Sequence, residues 1–186
     1  VQALLQILHA SSHDPTNKTI IFSQWTSFLD LLQPHLLAAG LKFTRIDGSM
    51  TAPQRDSALD ALENDASTTI MLASLAVCSV GLNLVAANQV IMADSWWAPA
   101  IEDQAVDRVH RLGQKRETKV FRLVVEGSIE EKVLGIQEDK RELMRLAFAE
   151  KEDRRRRKRA GAGLADIERL LGQRQGGGEE RAQVQA

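Results

Sequence analysis

The sequence predicts an α/β domain built on a parallel sheet with helices on both faces. Short apolar runs of strand length alternate with longer segments whose apolar residues recur at helical spacing. Strand–helix–strand alternation is the pattern of a covered parallel sheet. The runs at residues 19–22, 69–73 and 89–93 are also apolar almost throughout, as strands buried on both faces are. A chain of 186 residues, 44% hydrophobic, is long enough for one domain with a real core plus appendages.

The elements follow in order. Ala3, Leu4, Ile7 and Leu8 lie at helical spacing, and Asp14-Pro15 breaks the chain after them. Residues 19–22 read as a buried strand. Phe28, Leu29, Leu32, Leu36 and Leu37 then mark a helix over 26–39, which Gly40 ends. Residues 42–46 form a second strand, stopped by Asp47-Gly48. Thr51-Ala52-Pro53-Gln54 has the form of a capping box with an early proline, opening a helix through Asn64. Strands are expected at 69–73 and 89–93. Pro99 starts a further helix, 120–125 is a fifth strand, and Ser128 to Glu131 cap a long helix to about residue 150. Domain limits are accordingly set at 1–127, 128–150 and 151–186.

Composition narrows the function classes. Net charge is −1, so no global field announces nucleic acid or membrane. Charge is nevertheless uneven: Lys151 to Arg159 holds seven basic and two acidic residues. That run has three readings, a solvated helix end, a nuclear-localisation signal or a DNA-phosphate patch, and a mixed role of targeting and attachment is favoured. Residues 164–171 have the form of a short amphipathic helix, and from Gly176 onward the composition is that of a disordered tail. The single cysteine, Cys78, excludes an internal disulfide framework and reads as a small buried residue. No apolar stretch is long enough to span a bilayer, and no signal pattern opens the chain. A start at Val1 leads to the expectation of a piece of a longer protein. The histidines show no metal-ligand spacing.

The most informative run is 104–114, QAVDRVHRLGQ. Steps of four and three residues place Gln104, Arg108 and Arg111 together on one side of a helix. Ile101, Ala105, Val109 and Leu112 make an apolar stripe beside them. Arginines at the rim of a core suit a polyphosphate, since each carries a permanent charge and a planar fork of donors. Taken alone, the run reads more readily as a solvated helix face, with Asp107 able to pair with an arginine locally. Other chemistry-bearing residues fall at expected strand ends: Ser23-Gln24-Trp25, Asp47-Gly48-Ser49, Ser74 and Asp94-Ser95-Trp96-Trp97. Ligands of parallel sheets gather there.

Four segments combine in fixed order: IIFSQWTSFLDLL, RIDGSM, SLAVCSVGLNLVAANQVIMADSWWAP and EDQAVDRVHRLGQ. Together they resemble the second helicase lobe of the Swi/Snf family of DNA-dependent ATPases, over roughly residues 1–150. The wording is most similar to the subgroup around the helicase-like transcription factor and its RING-containing fungal repair relatives. The resemblance implies a RecA-like three-layer domain, the second lobe of a P-loop NTPase-type motor, with a C-terminal helical extension. It implies that Arg108 and Arg111 are arginine fingers reaching ATP phosphates across a cleft. Gln104, Gly81 and Asn83 would complete the nucleotide contacts. Gln24, Gly48, Ser49, Ser74 and Trp97 would line the track of one DNA strand, while Trp25 and Trp96 are assigned to the core. The chain departs from the family at Cys78-Ser79, where most members have a glycine pair, and at Ala98, where many have asparagine.

No GxxxxGK[ST] phosphate loop and no magnesium-holding acidic pair occur in the sequence. ATP with Mg²⁺ would therefore be held mainly by a first, N-terminal ATPase lobe, and this lobe alone is expected not to hydrolyse it. The implied partners are that lobe and double-stranded DNA, bare or in nucleosomes; the implied location is the nucleus, with no membrane role. The competing expectation is a non-catalytic DNA- or protein-binding module derived from such a lobe.

Overall fold

The computed structural model describes residues 1–147. Two compact units are present, Val1–Asp139 and a second beginning at Lys140. In the first, the elements are α1 (Gln2–Ser11), β1 (Thr19–Ser23), α2 (Thr26–Ala38), β2 (Phe43–Ile46), α3 (Ala52–Asn64), β3 (Ile70–Ser74), a 3₁₀ turn (Leu75–Val80), β4 (Gln89–Met92), α4 (Pro99–Val109) and β5 (Lys119–Arg122). A last helix, α5, covers 129–139. Residues 140–147 of the second unit are also helical. The end of the expected long helix near 150, the basic run and the tail lie outside the described residues.

Among the described residues the five strands form one sheet in the order β2-β3-β1-β4-β5, and every neighbouring pair is parallel. Side chains alternate across each strand and so feed two cores. Ile20, Phe22, Met71, Ala73, Val90 and Met92 face α3 and α4, meeting Leu62, Ala105 and Val109. Ile21, Ile70, Leu72 and Ile91 face α1 and α2, meeting Leu4, Leu8, Leu29, Leu32 and Leu36. This is the expected helix–sheet–helix sandwich. Each fully buried leucine contributes about 1.5–3 kcal/mol, which is why short helices such as α1 hold.

The local signals act as their chemistry dictates. Gln54 Oε1 accepts the Thr51 backbone N–H at 2.9 Å within a capping box, with Pro53 in the first turn of α3. After α2, Leu41 N–H reaches Leu36 O at 2.9 Å and closes the helix around Gly40.

Two expectations need correction, at the ends of β5 and α4. β5 ends at Arg122 rather than near Val125, because its partner β4 ends at Met92, whose carbonyl takes one last bond from Leu123 N–H at 2.9 Å. Burial is complete along β1, β3 and β4 but partial along β2 and β5, the two edges. α4 ends at Val109, so Arg111 and Leu112 lie in the turn after it. Leu112 is fully exposed and not part of the apolar stripe.

Candidate functional site

Because all strands run the same way, their carboxyl ends share one edge of the domain. Along that edge stand Asp47-Gly48-Ser49 after β2, Ser74 ending β3, Gln24 after β1, and Asp94 to Trp97 after β4. The expected strand-end residues are therefore brought into one row.

Each is fixed by a local bond. Ser49 N–H and Oγ donate to Asp47 Oδ1 at 2.9 and 2.6 Å, forming a tight turn that leaves Gly48 exposed. Arg45 Nε meets Asp47 Oδ2 at 2.8 Å. The Ser49 hydroxyl, aided by the Ser49 amide and Arg45, holds the Asp47 carboxyl below its ordinary range despite burial. Ser74 is buried, and its Oγ accepts Ala76 N–H at 3.3 Å, capping the 3₁₀ turn. Gln24 N–H donates to both carboxylate oxygens of Asp94 at 3.1 and 3.2 Å, and Ser23 Oγ donates to the same group. Burial raises the Asp94 pKa above its usual value, with the Ser23 and Gln24 bonds opposing. Asp94 thus ties the β1 loop to the β4 loop.

The tryptophans divide unexpectedly. Trp96 is half-buried against the core, as expected. Trp25 is 62% exposed and belongs to no core. The residue precedes α2 as its N-cap, with its backbone N–H held by Ser23 Oγ at 3.0 Å, and that position lifts the indole out of the sheet layer. Trp97 is 48% exposed.

The second cluster lies where α4 meets the loop after β3. Arg108 Nε donates to the Cys78 carbonyl at 3.1 Å, and the Arg108 carbonyl accepts Leu84 N–H at 3.1 Å. One residue thereby clasps both ends of the segment that contains Gly81 and Asn83. Gly81 has φ of +70°, a left-handed conformation that a glycine adopts without strain. Gln104 lies one turn before Arg108 on α4 and is exposed, as is Asn83. Among the described residues, no hydrogen bond is seen to the Arg108 Nη groups. Arg111 is exposed in the following turn. Cys78 is buried, its thiol pushed up to about 12 by desolvation, which fits a packing role.

Several ordering residues were not singled out from the sequence. Gln114 Nε2 donates to the carbonyls of Ala87, Val85 and Val109 at 2.6, 3.2 and 3.3 Å. This staples the turn after α4 to the entry of β4. Glu102 and Gln137 are wholly buried around the Trp96 backbone. Glu102 lies at helical spacing with buried Ala105 and Val109, but spacing does not name the partners of a buried carboxylate, which only the tertiary contacts reveal.

Comparison with known proteins follows the same outline. The helicase conserved C-terminal domain matches residues 1–113. The chain belongs to this family. Within it, the chain falls with the Swi/Snf helicase-like proteins. It is 44% identical over 133 residues to the helicase-like transcription factor CHR28 of Arabidopsis thaliana, covering 72% of this chain and 14% of that protein. It is 46% identical over 142 residues to the DNA repair protein RAD5 of Gibberella zeae, covering 76% and 12%. Against the mouse helicase-like transcription factor, identity is 44% over 154 residues, covering 81% and 15%. The chain therefore spans less than a fifth of the length of these curated relatives. The crystal structure of the C-terminal part of the Fun30 ATPase domain superposes with TM-score 0.71 at 36% identity, covering 73% of this chain and 44% of that one. The RecA-like lobe expected for a helicase C-terminal domain is thus the fold observed.

Proposed function

We propose that this helicase C-terminal domain is the second lobe of a DNA-dependent ATPase, a nuclear translocase of the chromatin-remodelling and repair type. The observation that carries this reading is the Arg108 clasp. A guanidinium anchored through Nε to the Cys78 carbonyl keeps its remaining donors in a fixed fork, beside a loop bearing Gly81 and Asn83. Preorganised cations of this kind stabilise the charge that spreads over phosphate oxygens in phosphoryl transfer.

The residues present fit one half of an ATP–Mg²⁺ site. Arg108 and Arg111 supply cationic donors, and Gln104 and Asn83 supply exposed amides. The sequence lacks the phosphate loop and the acidic pair that would cradle phosphates and hold magnesium. A first lobe, in this polypeptide or another, provides those parts, and bound nucleotide supplies the free energy that closes the two lobes. Alone, this chain does not hydrolyse ATP.

The strand-end row serves as the DNA track. From β2 to β4 it crosses three interstrand gaps, about 14 Å in all. One DNA strand advances about 3.4 Å per nucleotide along its axis, so the row matches roughly four nucleotides. The Gly48 backbone N–H and the Gln24 side-chain amide suit phosphates, contacts that position without reading sequence. The Gln24 and Ser49 backbone N–H groups are held by Asp94 and Asp47 and shape the track. Ser74 is buried and caps its own turn, so this residue shapes the track rather than touching it. Trp97 offers an indole face to a base or sugar.

The test joins this chain to a matching first lobe and measures ATP hydrolysis with and without duplex DNA. DNA stimulation that disappears on Arg108→Ala is the expected result. An unchanged rate in both Arg108→Ala and Arg111→Ala would reject the finger assignment. Finding no phosphate-loop lobe encoded upstream in frame would count against the ATPase reading as a whole.

A further inference from the structure

Glu102 and Gln137 are both wholly buried, and both direct their polar atoms at the backbone of one residue, Trp96. Glu102 Oε1 accepts Trp96 N–H at 2.8 Å. Gln137 Nε2 donates to the Trp96 carbonyl and to Glu102 Oε1, the latter at 2.7 Å. Arg122 Nε closes the group on Glu102 Oε2 at 3.3 Å. The peptide groups on both sides of Trp96 are therefore pinned, one through its N–H and one through its C=O.

The second of these peptides is the one that carries Trp97. A peptide unit is planar from one Cα to the next. Fixing the Trp96 carbonyl thus fixes the plane from which the Trp97 side chain departs. Gln137 does this from α5, 41 residues along the chain from Trp96. The Gln137 Nε2 bonds satisfy the Trp96 carbonyl and the buried Glu102 carboxylate, which stabilises the fold, but not every polar atom of the amide is satisfied. Its Oε1 is buried with no partner among the described residues. An unsatisfied buried acceptor is unfavourable; a methionine of similar length would avoid it, but would take the Nε2 donor from the Trp96 carbonyl and Glu102.

We propose that Gln137, backed by Glu102, is a positioning residue that aims Trp97 at the DNA strand, so that α5 is a working part of the DNA site. This rests on the DNA-track reading above. It gives the C-terminal helix a role beyond packing: displacement of α5 releases the Trp96 carbonyl and loosens the Trp97 contact.

The experiment is a double-mutant cycle on the 186-residue chain, read by the anisotropy of a fluorescently labelled DNA duplex. Thermal melting of each variant confirms that it is folded. Trp97→Ala is expected to weaken duplex binding about tenfold, the scale of one lost stacking contact. Gln137→Met is expected to weaken it by a similar factor. The double variant should bind no more weakly than Trp97→Ala alone, because a positioning residue has nothing left to position. Should Gln137→Met fail to fold, Gln137→Ala removes the donors without adding bulk or charge beside Glu102, and the same cycle applies. Wild-type affinity in the folded Gln137 variant overturns the proposal, as does an undiminished Gln137 effect in the Trp97→Ala background. Absence of duplex binding by the unsubstituted chain instead rejects the DNA-track reading on which it stands.

Discussion

Arg108 grips both ends of one loop: its Nε donates to the Cys78 carbonyl at 3.1 Å, and its own carbonyl accepts the Leu84 amide at 3.1 Å. The link between side chain and loop works in both directions. The loop orients the guanidinium, and the guanidinium holds the loop. Arg108→Ala in a two-lobe enzyme should lower DNA-stimulated ATP hydrolysis by about 10³-fold, the usual worth of a finger. Arg108→Lys should rescue little, since an ammonium cannot bond the Cys78 carbonyl and present a planar fork at once. Steady-state hydrolysis at saturating DNA measures both.

Gly81 sits inside that clasp with φ of +70°, and a Cβ built there meets nothing within 4 Å. The cost of Gly81→Ala is therefore backbone strain alone, about 1–2 kcal/mol. Urea denaturation should show a lower midpoint with an unchanged slope. A loss much above that range would mean the loop packs more tightly than the open space around Gly81 allows.

Cys78 has a thiol pushed up to about 12 by burial. At pH 8 it remains protonated and shielded. Iodoacetamide should leave the folded chain unmodified and label it once in denaturant, read as a mass increase. Rapid labelling of the native chain would contradict the packing of the 3₁₀ turn.

Asp47 and Asp94 have opposite effects on stability as pH changes. Asp47 is held below the ordinary carboxylate range, chiefly by the Ser49 hydroxyl. An unfolded aspartate titrates near pH 3.9, so the Asp47 contribution is complete above about that value and fades as pH falls through the lower folded value. Asp94 is raised by burial, so the folded state holds more protons across its window and this group's contribution falls as pH rises through it. Asp47→Asn should cost about 1 kcal/mol at pH 7, a difference that shrinks in acid. Chemical denaturation at a series of pH values separates the two. A cost that persists undiminished below pH 3 would place the effect elsewhere.

Leu112 is the reverse of a core residue, fully exposed one turn past α4. Leu112→Ala should change stability by no more than about 0.5 kcal/mol, as surface substitutions do. A melting temperature several degrees lower would return Leu112 to the apolar stripe that the sequence spacing alone assigns to it.

The alternation of strands and helices, the parallel sheet with two covered faces, the capping box at Thr51 and the glycine stop at Gly40 are all legible in the sequence. These are written in local periodicity and in residues with one strong conformational preference, and no distant contact has to be known to read them. The row of strand-end residues is legible too, because parallel strands put their carboxyl ends on one edge whatever their order. Tertiary structure decided what depends on residues far apart in the chain. It ended α4 at Val109, so Arg111 and Leu112 left the helix to which helical spacing had joined them. It put Trp25 outside, since hydrophobicity cannot tell a core indole from one lifted clear at a helix cap. It bound Gln114 to three carbonyls, Arg108 to Cys78 and Gln137 to Trp96, bonds that span 5 to 41 residues of sequence. Spacing can put a polar side chain on a buried face, as with Glu102 beside Ala105 and Val109, but its partner exists only once the chain has folded.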